Sequence, residues 1–162
     1  MATDIFDPSS DSVFLNGLRL WKHILNKGVQ LGSVLGLAVV VPATAVVVYK
    51  NGGKERFTVE GLGPKLAKAQ AVSAAAGLGL SVLAGVLRIS QYEDKRDALA
   101  DRAYRLHYNK GQSRCDLIAQ AGMAIGGVGA ATLLGPTAVV IVGGASAGAA
   151  LGVLAHVMTK KT

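Results

Sequence analysis

Four stretches of the chain contain no Asp, Glu, Lys or Arg: Gly28 to Tyr49, Ala69 to Leu87, Leu117 to Leu134, and Thr137 to Met158. Each reaches the roughly 17 to 25 residues that a helix needs to cross a ~30 Å hydrocarbon layer. Backbone N–H and C=O groups cannot stay unpaired in lipid, so runs of this length are helices unless strands close into a barrel. The runs show no period-two alternation, which disfavours a barrel. The pattern therefore predicts an all-α membrane protein with four transmembrane helices over 28–49, 69–87, 117–134 and 137–158. Only Gly135 and Pro136 separate the last two, which makes them an antiparallel hairpin.

The flanking stretches are polar but patterned. In an N-terminal segment, 1–27, Phe14, Leu18, Trp21 and Leu25 fall at helical spacing beside Arg19, Lys22 and Lys27. This predicts an amphipathic interfacial helix, started by Ser9, Ser10 or Asp11 as a cap and holding Trp21 among lipid headgroups. The alternative is a soluble amphipathic helix docked on a neighbour. Between the second and third spans, Tyr92, Leu99, Ala103 and Leu106 form one stripe of a helix on which Asp101 and Arg105 pair at i,i+4. Its charged face is either solvated or a docking surface for another subunit. The domain reading is thus 1–27 amphipathic segment, 28–158 four-helix transmembrane domain, and 159–162 basic tail.

Small residues recur every four positions inside each span. The first carries Gly28, Gly32 and Gly36; the second Ala69, Ser73, Gly77, Ser81 and Gly85; the third Gly122, Gly126 and Ala130; the fourth Gly144, Gly148 and Gly152. Positions four apart share one face of a helix, so each span presents a groove where another backbone can approach closely, the arrangement of a glycine zipper. The partner of each groove is open at this stage: the same chain, a second copy, or another subunit. Pro42 removes one helical hydrogen bond in the first span and predicts a kink there.

Composition agrees with lipid. The hydrophobic fraction is 51%, and 21 glycines fall mainly within apolar stretches where a soluble helix would be weakened by them. The net charge of +7 raises nucleic acid as a partner, but the basic residues lie between the apolar segments instead of gathering on one element, so no nucleic-acid binding is expected. Twelve Lys and Arg lie on the side of the termini and central loop against five in the Lys50 to Lys68 loop, which places that side in the cytoplasm or matrix. The single cysteine, Cys115, excludes an intrachain disulfide and a Cys-rich metal site. Asp4, Asp7 and Asp11 stand where a secretory or transit leader would be basic, so import into an organelle would use an internal address.

Candidate chemistry is sparse. Gly144-Ala145-Ser146-Ala147-Gly148 matches G-x-S-x-G, yet that motif needs a strained strand-to-helix turn and here falls inside a helix. His156 is ten residues away, about 15 Å along the helix axis and on another part of its circumference, so the two form no dyad. His156 is expected at the interface or helix end, and Arg114, Cys115 and Asp116 as an Arg–Asp anchor where the third span enters the membrane. The span cores carry no Asp, Glu, Lys or Arg, which argues against a proton pump. Gln30, Gln70 and Gln120 offer contacts between helices; Ser33, Thr44, Ser73, Ser81, Gln120, Thr132 and Ser146 are the candidates for a polar stripe. No enzyme activity, metal or cofactor is expected, a structural phospholipid being the one ligand allowed.

These four glycine-rich spans, the final hairpin and the charged loop resemble the preprotein and amino-acid transporter family over residues 28 to 158. The family's pattern around its third span runs from an aromatic through an arginine and an aspartate to a small residue and G-x-x-x-G. Here Tyr104, Arg114, Asp116, Ala121, Gly122 and Gly126 appear in that order. Arg114 follows Tyr104 one residue early and Asp116 comes after only one intervening residue, the spacing of a divergent branch. The resemblance implies a multi-pass protein of the mitochondrial inner membrane, with termini in the intermembrane space, opposite to the charge bias. Channel subunits of protein translocases and a complex I accessory subunit belong to that family.

The leading expectation is a noncatalytic accessory subunit of a respiratory complex, in the membrane arm of complex I, with other membrane subunits and the lipid bilayer as partners. Alternatives are a subunit of a protein translocase or small-solute channel, and an oligomeric membrane-shaping protein.

Overall fold

The structure is a computed structural model that describes residues 7–160; Asp4 of the N-terminal segment and Lys161 and Thr162 of the basic tail lie outside the described residues. Helix α1 (Val13–Leu35) continues through one π-helical turn (Gly36–Val40) into α2 (Val41–Gly52), making a single rod of 40 residues. A 3₁₀ turn (Lys54–Arg56) leads to α3 (Val59–Ser90), followed by α4 (Lys95–Tyr108), α5 (Lys110–Leu134) and α6 (Ala138–Thr159). Among the described residues every regular element is helical, and four helices are long and apolar enough to cross a membrane.

The helices start where short polar side chains can accept a free backbone N–H. Ser12 caps α1 through Leu15, Thr58 caps α3 through Gly61, Asp94 caps α4, Asn109 caps α5 and Thr137 caps α6. Gly135, at φ +93°, ends α5 in a conformation that a side chain would strain, and Pro136 and Thr137 complete the hairpin turn.

Several boundaries differ from the sequence expectation. The amphipathic segment is no separate helix, because nothing between Leu25 and Gly28 interrupts the backbone ladder of α1. Its cap is Ser12. Ser9 and Ser10 instead bond to Asp7, and Asp11 pairs with Arg19 at 2.6 Å. Helices α3 and α5 extend well before Ala69 and Leu117, carrying polar turns past the apolar core. The distortion expected at Pro42 is drawn toward the N-terminus as the π turn, and Thr44 Oγ1 bonds to the carbonyl of Val40 at 2.8 Å.

The rod α1–α2 packs antiparallel to α3, and α5 with α6 forms the second hairpin. Helix α6 joins the two, lying against α5 on one side and against α3 and α1 on the other, and it is the most enclosed of the four. Helix α4 folds back onto α1, where Leu99, only 5% exposed, reaches Gly17.

The interior is built from small residues. Ala149 and Ala150 are fully buried, and the largest side chains with almost no exposure are Gln70, Asn16 and Ser33. Apart from a few such as Leu20, Val48, Leu99 and Val140, large apolar side chains point outward, with Ile125 75% and Leu133 77% exposed. A water-soluble chain would bury these first. In hydrocarbon they meet a solvent like themselves, and helices associate through close contact of small residues. This inverted distribution is that of a multi-pass membrane protein.

Close contact is literal at the period-four positions. A methyl group added at Gly77 would lie 2.6 Å from the Cα of Gly32, and one at Gly28 would lie 2.8 Å from the carbonyl oxygen of Gly77. On the other hairpin, a methyl at Gly126 would lie 3.0 Å from the Cα of Gly148, and one at Gly152 would lie 2.8 Å from that of Ala119. Ordinary carbon contacts are at about 3.5–4.0 Å, so no side chain fits. Gly36 faces Ser73, Gly122 and Gly144 face the backbones of Gly148 and Gly126, and Gly85 faces Trp21 and Ile24. The grooves of the first and second spans therefore close on each other, as do those of the third and fourth.

Candidate functional site

Two polar clusters interrupt the apolar bundle. The deeper one lies where α1, α3 and α6 meet. Ser33 Oγ and Ser146 Oγ are 2.8 Å apart, and Gln70 Nε2 donates to the carbonyl of Ser33 at 2.8 Å and to Ser146 Oγ at 3.1 Å. All three side chains are buried. An amide or hydroxyl in an apolar interior is costly without a partner, so each requires the others. Gln70 fits because Gly36, first residue of the π turn, has no side chain to collide with its carbonyl oxygen. That oxygen and His156 Nδ1 are buried without a hydrogen-bond partner among the described residues.

The second cluster lies at the end shared by the start of α1, the start of α5 and the end of α6. Asp116 Oδ1 accepts from Lys27 Nζ at 2.7 Å, from Gln30 Nε2 at 2.8 Å and from Gln112 Nε2 at 3.0 Å. Lys27 also donates to Gln30 Oε1. Lys27, Gln30 and Ser33 follow one face of α1, so the clusters stand about 9 Å apart along the axis at a rise of ~1.5 Å per residue.

The expected Arg–Asp anchor is not formed. Arg114 donates to Thr159 Oγ1 at 3.1 Å on α6, while Asp116 takes Lys27 as its ion-pair partner at 2.7 Å. Residues 114 and 116 are two apart on a helix and point in different directions, so each meets the helix on its own side. Tyr104 lies on α4 with its ring 4.6 Å from that of Tyr108. Asp101 and Arg105 do pair, at 3.0 Å. Cys115 is free and half-buried.

The polar-stripe candidates divide sharply. Ser33 and Ser146 meet, and Gln30 and Gln70 bridge helices. Ser73, Ser81, Thr44 and Thr132 bond to carbonyls of their own helices, which satisfies a hydroxyl without offering it to a pore. Gln120 is exposed. Ser146 of G-x-S-x-G lies within α6 and is bonded to Ser33 and Gln70, not to a histidine. His156 lies in the last turn of α6, the helix end expected of it, with its side chain buried against the bundle. Since Gly152 packs on Ile118 and Ala119 and Thr159 meets Arg114, His156 stands between those levels, beside the region of Cys115.

Sequence reasoning missed that one glutamine organises the centre. The signal was present: a lone amide deep in an apolar helix needs a partner from another helix. No group of three or more His, Cys, Asp or Glu side chains able to hold a metal occurs among the described residues. A cavity of about 920 Å³ is an open apolar groove between the start of α3 and the α5–α6 hairpin, lined by Leu62, Leu66, Ile125, Leu133 and Leu151.

Residues 17–159 match the family described as protein of unknown function (DUF1757), a match that spans all four long helices. No curated protein matches the chain.

Proposed function

Taking as premise that the chain belongs to the DUF1757 family, whose function is unknown, we propose that it is a noncatalytic structural and assembly subunit of a larger membrane complex. The observation that carries this reading is the deep cluster: the polar side chains that reach furthest into the bundle, Ser33, Gln70 and Ser146, bind one another and tie three helices together. Around them the helices approach closely at glycine positions, which supports glycine-zipper packing, and many large apolar side chains face outward. A body of this kind offers other subunits and lipid a rigid apolar wall.

The setting rests on the family resemblance read from Tyr104, Arg114, Asp116, Gly122 and Gly126. It proposes the mitochondrial inner membrane and the membrane arm of complex I. Because the period-four grooves are occupied within the chain, contact with other subunits uses the outward apolar faces and the charged side of α4. Solubilisation in mild detergent followed by native-gel mass spectrometry tests the reading. Comigration with respiratory subunits is the expected result; exclusive migration with import machinery refutes it.

The open groove of about 920 Å³ is the observation that favours a second reading, a translocase or small-solute channel subunit. Its apolar lining suits an acyl chain or a hydrophobic helix better than a hydrated substrate. Crosslinking of an arrested precursor to the groove supports translocation, whereas normal import after depletion removes it.

A further inference from the structure

A cleft between α1, α4 and α5 combines polar and charged side chains with an apolar floor. It measures about 440 Å³ and is walled by Arg19, Lys22 and His23 of α1, His107 of α4, and Gln112 of α5. Its carboxylate, Asp116, is already held by Lys27, Gln30 and Gln112 and so adds little negative field. Arg19 is bonded to Asp11 and Asn16. Lys22, exposed, makes no ion pair among the described residues, and its ammonium carries three donors.

The position of the cleft defines what can enter it. Lys27 is the last charge before the apolar run of α1, and Asp116 the last before that of α5, so the cleft opens at the level where hydrocarbon gives way to headgroups. Leu117 on its floor is 67% exposed and continues into the outward apolar face of α5. A ligand here meets cations and amide donors above and an apolar wall below.

We propose that this cleft binds the phosphate headgroup of an anionic phospholipid, with Lys22 as its principal charged contact and an acyl chain lying along Leu117. The inference rests on the membrane reading of the four helices and adds to it a ligand class and a site. A cation near an anionic membrane surface contributes about 1 kcal/mol, so removing one weakens binding by about five-fold.

The test uses the full chain purified in neutral detergent, stripped of lipid and presented with equimolar phosphatidylglycerol and phosphatidylcholine in native mass spectrometry. The expected result is preferential retention of phosphatidylglycerol, reduced about five-fold by Lys22→Gln, restored by Lys22→Arg, and unaffected by Lys54→Gln at the opposite end. Equal retention of both lipids, or equal effects of Lys22→Gln and Lys54→Gln, overturns the proposal. Displacement of the lipid by inorganic phosphate alone also overturns it, because it identifies a soluble-anion site. Circular dichroism of Lys22→Gln matching the parent separates loss of the site from loss of the fold. A chain that is monodisperse without detergent defeats the membrane reading itself, a distinct outcome.

Discussion

Replacing Gly148 by alanine tests the packing of α6 on α5 with the smallest available probe. The added methyl would lie 2.6 Å from the carbonyl carbon of Gly122 and 3.2 Å from the Cα of Gly126. The carbonyl oxygen of Gly122 is nearer still. All three obstacles are backbone atoms of a helix, so relief comes only if α5 and α6 separate, by at least roughly 1 Å if the carbon contact is to return to about 3.6 Å. A gap of that size forfeits a quarter to a half of each contact, and a carbon pair is worth about 0.1–0.2 kcal/mol. Over roughly 40 pairs the loss is about 2 kcal/mol, within the range of ~1–3 kcal/mol seen when a tight core is overpacked. Reversible unfolding by sodium dodecyl sulfate titration, followed by helical circular dichroism in mixed micelles, measures the difference. The internal control is Gly129→Ala on the same hairpin, where nothing lies within 4 Å of the added methyl. It should be neutral or stabilising by up to about 1 kcal/mol, since alanine is the better helix former. Equal stability of Gly148→Ala and the parent, or equal damage from both variants, would refute the account of how the hairpin is held.

Three other perturbations separate the remaining interactions. Ser146→Ala, combined with Ser33→Ala in a double-mutant cycle, should show a coupling of about 0.6 kcal/mol and no more than ~1.7, the range for hydrogen bonds between membrane helices; zero coupling in the same unfolding assay would mean the deep cluster is not formed. Asp116→Asn keeps an acceptor for Gln30 and Gln112 but leaves Lys27 uncompensated, so it should cost about 1–2 kcal/mol, partly recovered when Lys27→Gln is added; thermal unfolding in detergent that shows no recovery would exclude the pair as the cause. Leu99→Ala should destabilise α4 by about 2–5 kcal/mol because the side chain is buried against α1, whereas Arg105→Ala should change stability by less than about 0.5 kcal/mol since its partner Asp101 is exposed; hydrogen exchange across α4 distinguishes the two.

The helices themselves were legible because uncharged length and backbone chemistry leave few alternatives in lipid. The final hairpin was equally plain, since Gly135 and Pro136 leave no room for anything but a turn. Helix ends were less so: Val59 and Lys110 start helices among charged residues, where hydropathy carries no signal and a capping side chain decides. The spacing of Gly28, Gly32 and Gly36 announced a close contact without naming its partner, because small residues are complementary to any other small-residue face. Side-chain pairing was the least accessible. Arg114 and Asp116 are neighbours in sequence, yet helix geometry turns one toward α6 and the other toward α1. Ser33 and Ser146 are 113 residues apart, and only the packing of α6 between the two hairpins brings them together. Gln70, the residue that joins them, was visible as a costly amide but not as the centre of a cluster.

The inverted distribution of side chains is tested most directly by photolabelling from within the bilayer. The full chain is reconstituted into liposomes carrying a hydrophobic carbene precursor, and the adducts are mapped by mass spectrometry. The outward side chains Leu80, Ile125, Leu133 and Leu151 should be labelled, and the enclosed Ala149 and Ala150 should not. A chain that takes no label and remains monodisperse in buffer without detergent would contradict the placement of these helices in lipid.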